Sequence, residues 1–193
     1  MKDNLRIDAI ASASLISKPS IMEAALLGGT YEVECRDKDS KLKWKDTIKN
    51  LVTDVGKNWM LDGILGSAQT NTGPYMGLIS SDTWSGVAAG NTMSSHAGWR
   101  EAGGTYLPGY TTRKTCVWSA ASGGTKALSA ALSFTFTSGG TVKGCFLVLG
   151  TSASNAVDNT GGVLYSCGVF TGGDKTVVST DVLNVSYTAG LNG

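Results

Sequence analysis

Residues 31–49 constrain the fold of this chain more than any other stretch. Tyr31, Val33 and Cys35 alternate with Glu32, Glu34 and Arg36. After Asp37-Lys38-Asp39-Ser40, the residues Leu42, Trp44 and Ile48 alternate with Lys41, Lys43, Lys45 and Lys49. A period of two with a turn between the halves predicts a β-hairpin, apolar on one face. The other face sets acidic residues against lysines. A solvated strand face that discourages edge pairing is favoured over a phosphate-binding stripe.

Alternation returns downstream. Leu128, Ala130, Leu132, Phe134 and Phe136 alternate with small or polar residues over 127–137, which predicts a half-buried strand. Over 141–149, Val142, Phe146 and Val148 fall on one face and Cys145, Leu147 and Leu149 on the other. Apolar residues on both faces predict a central strand covered on two sides, or one that marks a subunit interface. Further strands are expected at 75–79, 113–119, 163–170, 175–179 and 182–187, with Leu183, Val185 and Tyr187 inward. Gly-Gly pairs at 28–29, 103–104, 123–124, 139–140, 161–162 and 172–173 read as turns. Residues 80–112 are long for a structureless connection and are expected to hold short strands or a functional loop.

Charge separates the two ends. Residues 1–62 carry 10 Lys/Arg and 10 Asp/Glu, and the rest carries only 6 and 5. Residues 1–19 lack a clear period and read as an arm. Ser20 and Glu23 form a capping box that predicts a short helix through Leu27, stopped by Gly28-Gly29. Thr53 is the expected N-cap of a second helix to about Leu65. Val55, Trp59 and either Leu61 or Ile64 would face inward, Gly66 would end it, and Gly56 disfavours it. The expected architecture is mainly β: an antiparallel β-sandwich of jelly-roll-like type, with an N-terminal arm, one hairpin and one or two short helices. The arm and first helix take 1–29, and the sandwich domain takes 30–193.

Little in the chain predicts chemistry. The net charge of +1 gives no field for nucleic acid or an anionic membrane. No apolar run approaches the ~18 residues of a membrane span. Asp3 and Asp8 interrupt any signal-like start, so synthesis and folding in the cytoplasm are expected. His96 is the one histidine, which excludes a two-histidine metal site, and no G-x-S-x-G elbow supports a triad. Cys35, Cys116, Cys145 and Cys167 lack metal or redox spacing and read as reduced, strand-borne thiols. Asp37-Lys38-Asp39 opens like a calcium loop. It then places Lys41 at a ligand position, Leu42 at the required glycine and Ile48 at the closing glutamate. No catalytic, metal or cofactor-binding residue is assigned. Trp84, Trp99, Tyr106 and Tyr110 lie in the long loop region, where they would form a sugar-binding platform if exposed or a cap on the core if buried. Burial is favoured.

One resemblance spans most of residues 20–187. Its pieces are Tyr31-Glu32-Val33-Glu34, Trp44 through Thr53, Gly56-Lys57-Asn58, Met60-Leu61-Asp62 and Tyr75 through Ile79. Ala89 through Trp99 and Gly144-Cys145-Phe146-Leu147 complete it. These stretches resemble small structural proteins of tailed bacteriophage virions. The resemblance implies a capsid-decorating, or cement, protein on the outer surface of the virion, made in the host cytoplasm. Its implied partner is the major capsid protein, with a homo-oligomer, trimer or dimer, expected, and neither nucleic acid nor membrane. It carries no catalytic residues. The unpatterned start would supply the reach across capsomers, so Leu5, Ile7, Ile10, Leu15, Ile16, Ile21, Met22 and Leu26 are the expected partner-binding residues. A tail or fibre-associated module recognising a host glycan or receptor is the alternative.

Overall fold

A computed structural model describes residues 26–65 and 71–192. In chain order the elements are β1 (Leu26–Arg36), β2 (Leu42–Lys49), β3 (Leu51–Val52), α1 (Asp54–Leu65), β4 (Tyr75–Ser80), β5 (Arg100–Glu101) and β6 (Lys114–Thr115). They continue with β7 (Thr125–Ala127), β8 (Leu132–Thr135), β9 (Gly140–Leu149), β10 (Val163–Val169), β11 (Lys175–Val177) and β12 (Val182–Asn192). The strands form two antiparallel sheets. A five-stranded sheet runs β2-β1-β12-β7, with β8 also on β12. A seven-stranded sheet runs β3-β10-β9-β4-β5, with β11 on β9 and β6 on β4. The mainly β, two-sheet antiparallel architecture is the expected one. Its sheets hold five and seven strands, where a jelly roll stacks two Greek keys of eight strands in all.

The predicted hairpin is β1–β2. Glu34 lies opposite Lys45 and Cys35 opposite Trp44, with a bulge at Cys35/Arg36. Asp37 shapes the turn by accepting from the Asp39 and Lys41 amides, each at 2.9 Å. Tyr31, Val33, Cys35 and Ile48 enter one core with Phe134, Leu183, Val185 and Tyr187 of the same sheet. Met76, Leu78, Cys145, Leu147 and Tyr165 face them from the other sheet. A polar stitch crosses this core, between Tyr31 Oη and Ser166 Oγ at 3.2 Å. Ser166 can reach it because a bulge between Leu164 and Ser166 turns both Tyr165 and Ser166 toward the opposite sheet.

The expectation for 141–149 holds, with one change of face. Phe146 and Val148 pack in a second cluster with Ile79, Met93, Trp99, Ala153, Leu164 and Cys167. Cys145, Leu147 and Leu149 face the main core, and Val142 joins them. The pairing shifts between Ile79↔Gly144 and Ser80↔Val142, so one residue is looped out and the parity reverses. Both faces of β9 are covered by the same chain: Val142 and residues 144–149 are all buried. The alternative reading of this strand as a subunit interface is therefore overturned.

Three other expectations change. Leu26 to Gly29 belong to β1, opposite Asn192 to Ala189, and do not end a helix. A one-turn helix gains few hydrogen bonds for its nucleation cost, whereas this segment completes an eleven-residue ladder. Gly29 is needed here because a Cβ would collide with the Tyr187 ring. The start of that predicted helix, and the arm before it, lie outside the described residues. Over 113–119 only Lys114–Thr115 forms a strand. The stretch 127–137 divides into β7 and β8, since Ala127 pairs with Thr188 and Leu132 with Val185. Leu128 still donates to the Tyr187 carbonyl of β12 at 3.0 Å, and beyond it the chain bonds elsewhere. The Ser129 amide donates to the Val117 carbonyl at 2.9 Å, and Ala130 ends up exposed.

Helix α1 begins as predicted. Thr53 Oγ1 accepts from the Gly56 amide at 3.1 Å and donates to the Leu164 carbonyl, so the cap also fastens the helix to β10. Leu61 is 54 % exposed, which removes it from the inward face. Gly56 lies against β10, where a Cβ would strike the Tyr165 carbonyl oxygen. In a free helix Gly→Ala gains about 1 kcal/mol. Here Gly56→Ala is expected to lose about 1–3 kcal/mol, because the backbone beneath cannot yield. Chemical denaturation of the purified variant reads the sign directly.

Candidate functional site

The densest polar cluster joins Glu101 of β5 to Arg113. The guanidinium donates from Nε to Glu101 Oε1 at 2.8 Å and from Nη2 to Oε2 at 2.6 Å. It also donates to the Ser154 and Asn159 carbonyls at 3.0 and 2.7 Å. Glu101 accepts further from the Asp158 amide at 2.9 Å and the Tyr110 hydroxyl at 3.2 Å. Burial pushes the Glu101 carboxyl above its ordinary value, while Arg113, the Asp158 amide and Tyr110 pull it down. Both side chains are almost wholly enclosed, at 4 % and 0 % exposure. With both carboxylate oxygens and the guanidinium nitrogens engaged and solvent shut out, the cluster is built to tie loops together. It fastens residues 154–159 to β5 and the segment around Arg113. No spacing in the sequence announced this pair, because its members meet only through the loops.

The other reactive groups are similarly enclosed. All four cysteines are free and buried. Burial pushes the Cys35 thiol up to about 11 and those of Cys116 and Cys167 to about 12, which suppresses the thiolate. His96 stacks on Trp99 with ring centroids 4.0 Å apart, and its Nδ1 lies 3.1 Å from the Trp99 carbonyl. No group of three or more His, Cys, Asp or Glu is placed to hold a metal among the described residues. Of the loop aromatics, Trp99 and Tyr110 are buried, while Trp84 and Tyr106 are partly exposed. Trp99 thus caps the outer cluster and has no free ring face for a sugar.

Two surfaces remain. The outer face of the five-stranded sheet forms a shallow trough of about 600 Å³ lined by Glu32, Glu34, Lys45, Thr47, Asn184 and Ser186. Glu34 and Lys45 in this lining are matched to each other. Glu34 pairs with Arg36 at 2.8 Å and Lys45 at 3.2 Å, which hold its carboxyl below the usual range. Lys43 turns instead to the buried Asp181. The lysine row is therefore in part a set of cross-strand and inter-loop ion pairs on a solvated face.

The second surface is apolar. Met60 of α1, Tyr165 of β10, and Ala189, Gly190 and Leu191 of β12 line a depression of about 310 Å³, closed on one side by Gly124-Thr125-Lys126. It shares Met60, Lys126, Tyr165 and Ala189 with an adjoining hollow of about 230 Å³ that reaches Trp59, Trp118 and Tyr187. Together they form one groove between the helix and the end of the five-stranded sheet. Leu191 is 53 % exposed although it follows Tyr187 and Ala189 on the core side of β12. An apolar surface left uncovered by the described residues, beside a well-packed core, is a docking feature. Sequence patterning placed Tyr187 in the core but missed this groove, whose lining comes from segments far apart in the chain.

Of the expected partner-binding residues, Leu5, Ile7, Ile10, Leu15, Ile16, Ile21 and Met22 lie outside the described residues. Leu26 is the first residue of β1, opposite Asn192, at the end of the sheet that borders the groove. No protein-family model, curated protein or solved structure matches this chain.

Proposed function

We propose that this chain is a structural protein of a tailed-bacteriophage virion that decorates the capsid. It binds the major capsid protein lattice through its N-terminal segment and acts as a homo-oligomer on the particle surface. The observation that carries the reading is a body of two antiparallel sheets that share one apolar core and enclose its reactive groups. The enclosed Glu101–Arg113 cluster and the buried thiols suit a scaffold more than a reaction centre. The resemblance of residues 20–187 to phage structural proteins supplies the partner.

Capsid particles lacking the protein, mixed with the purified chain, test the reading. Removing residues 1–19 is expected to lower attachment at least tenfold while circular dichroism of the body stays unchanged. Equal attachment of the two forms would overturn the role of the arm. Failure of the intact chain to bind particles would overturn the capsid assignment.

A further inference from the structure

We propose that the apolar groove between α1 and the end of the five-stranded sheet binds a free single-chain amphiphile with an anionic head, an alkyl carboxylate. Its tail lies against Trp59, Trp118, Tyr165 and Leu191, and its head meets Lys126. Trp59 and Trp118 line the inner hollow, Leu191 lines the outer one, and Tyr165 and Lys126 belong to both. Aromatic and aliphatic walls with a few polar groups are the make-up of a small-molecule site. Along β12 the groove runs from Tyr187 to Leu191, a length of about 13 Å.

Main-chain pairing narrows the occupant first. Thr188, Ala189 and Gly190 of β12 pair with β1 on one side and with β7 on the other. Leu147 of β9, which lines the inner hollow, is likewise paired on both sides, with Met76 and with Ser166. These strands offer the groove no free edge. A peptide laid against them would bury N–H and C=O groups with no strand partner, at a cost in free energy. An alkyl chain carries no such groups and gains from every methylene that leaves water. Charge narrows the occupant further. Lys126 is the one charged residue in the lining of the two hollows, and no carboxylate lines either of them. It makes no ion pair with any described residue. Its exposed ammonium donates to the Ser119 carbonyl at 3.1 Å, which holds it in place and leaves further N–H donors for a carboxylate. An anionic head is therefore favoured over a cationic one. The inference is independent of the capsid reading.

Titration calorimetry of the intact chain with dodecanoate, below its micelle concentration, provides the test. Saturable binding of one equivalent is expected, with a change in tryptophan emission from Trp59 and Trp118. Affinity is expected to rise about fourfold per added methylene from octanoate to dodecanoate, as each is buried. Lys126→Glu, a change at an exposed position, is expected to weaken dodecanoate about tenfold or more and to strengthen dodecyltrimethylammonium. Ala189→Leu, which narrows the groove without altering its charge, is expected to weaken both ligands. Circular dichroism checks that each variant is folded. Absence of saturable binding, or equal binding of the carboxylate and the ammonium by the parent chain, would overturn the proposal. Affinity that ignores chain length and is unchanged in Ala189→Leu would place the ligand outside the groove and overturn it as well. Binding to phosphatidylglycerol vesicles without binding of free dodecanoate would make the surface a membrane contact instead and overturn it.

Discussion

Arg113→Ala is expected to cost about 3–5 kcal/mol, the range for stranding one member of a buried ion pair. For a chain of this size that corresponds to a fall in Tm of roughly 6–20 °C. The reason lies in what Arg113 leaves behind. Glu101 keeps its Asp158 amide and Tyr110 hydroxyl but loses both guanidinium bonds, and it is 4 % exposed. The carbonyls of Ser154 and Asn159 lose a donor at the same time. The control is the double replacement Arg113→Met with Glu101→Leu, which removes both charges and is expected to recover a large part of the loss. Urea denaturation of the single and double variants checks both statements. A single variant within 1 kcal/mol of the parent would show that water reaches the pair and that the loops are not tied through it.

Trp99→Ala is expected to cost about 3–5 kcal/mol as well, by emptying a packed site. Trp99 is fully buried, lies 5.3 Å from the Phe146 ring and donates from Nε1 to Asn91 Oδ1 at 3.1 Å. It is the main apolar anchor of the 81–112 loop on the outer face of the seven-stranded sheet, with Met93 beside it. The loss should therefore appear first as faster amide exchange across that loop, before the body unfolds. Global stability unchanged in this variant, accompanied by loss of binding to a glycan, would instead return Trp99 to the role of a sugar platform.

The hairpin, the buried faces of β9 and β12 and the start of α1 were legible in the sequence. Their signals are local: a period of two over 31–49, Leu183-Val185-Tyr187 on one face, and Thr53 ahead of a helix. Each was met by the structure because local pattern and tertiary burial agree there. The segment at 26–29 shows the opposite case. Its capping box and Gly-Gly pair suggested a helix end, yet residues 26–29 extend a strand, because β12 runs on to Asn192 and supplies a ladder. The unbroken alternation of 127–137 likewise could not reveal that the chain leaves β12 after Leu128 and that Ser129 bonds Val117 instead.

The candidate site was less legible than the fold. Leu26 could be singled out, but Met60, Ala189 and Leu191 carry no mark of the groove they share. Composition and alternation determined that this chain would form antiparallel sheets with one face of most strands buried, since strand periodicity depends only on neighbours along the chain. Tertiary structure alone decided which faces stay uncovered, where Arg113 finds Glu101, and which way Val142 points. Those outcomes depend on bulges and on contacts between residues tens of positions apart, whose geometry exists only after the sheets have stacked.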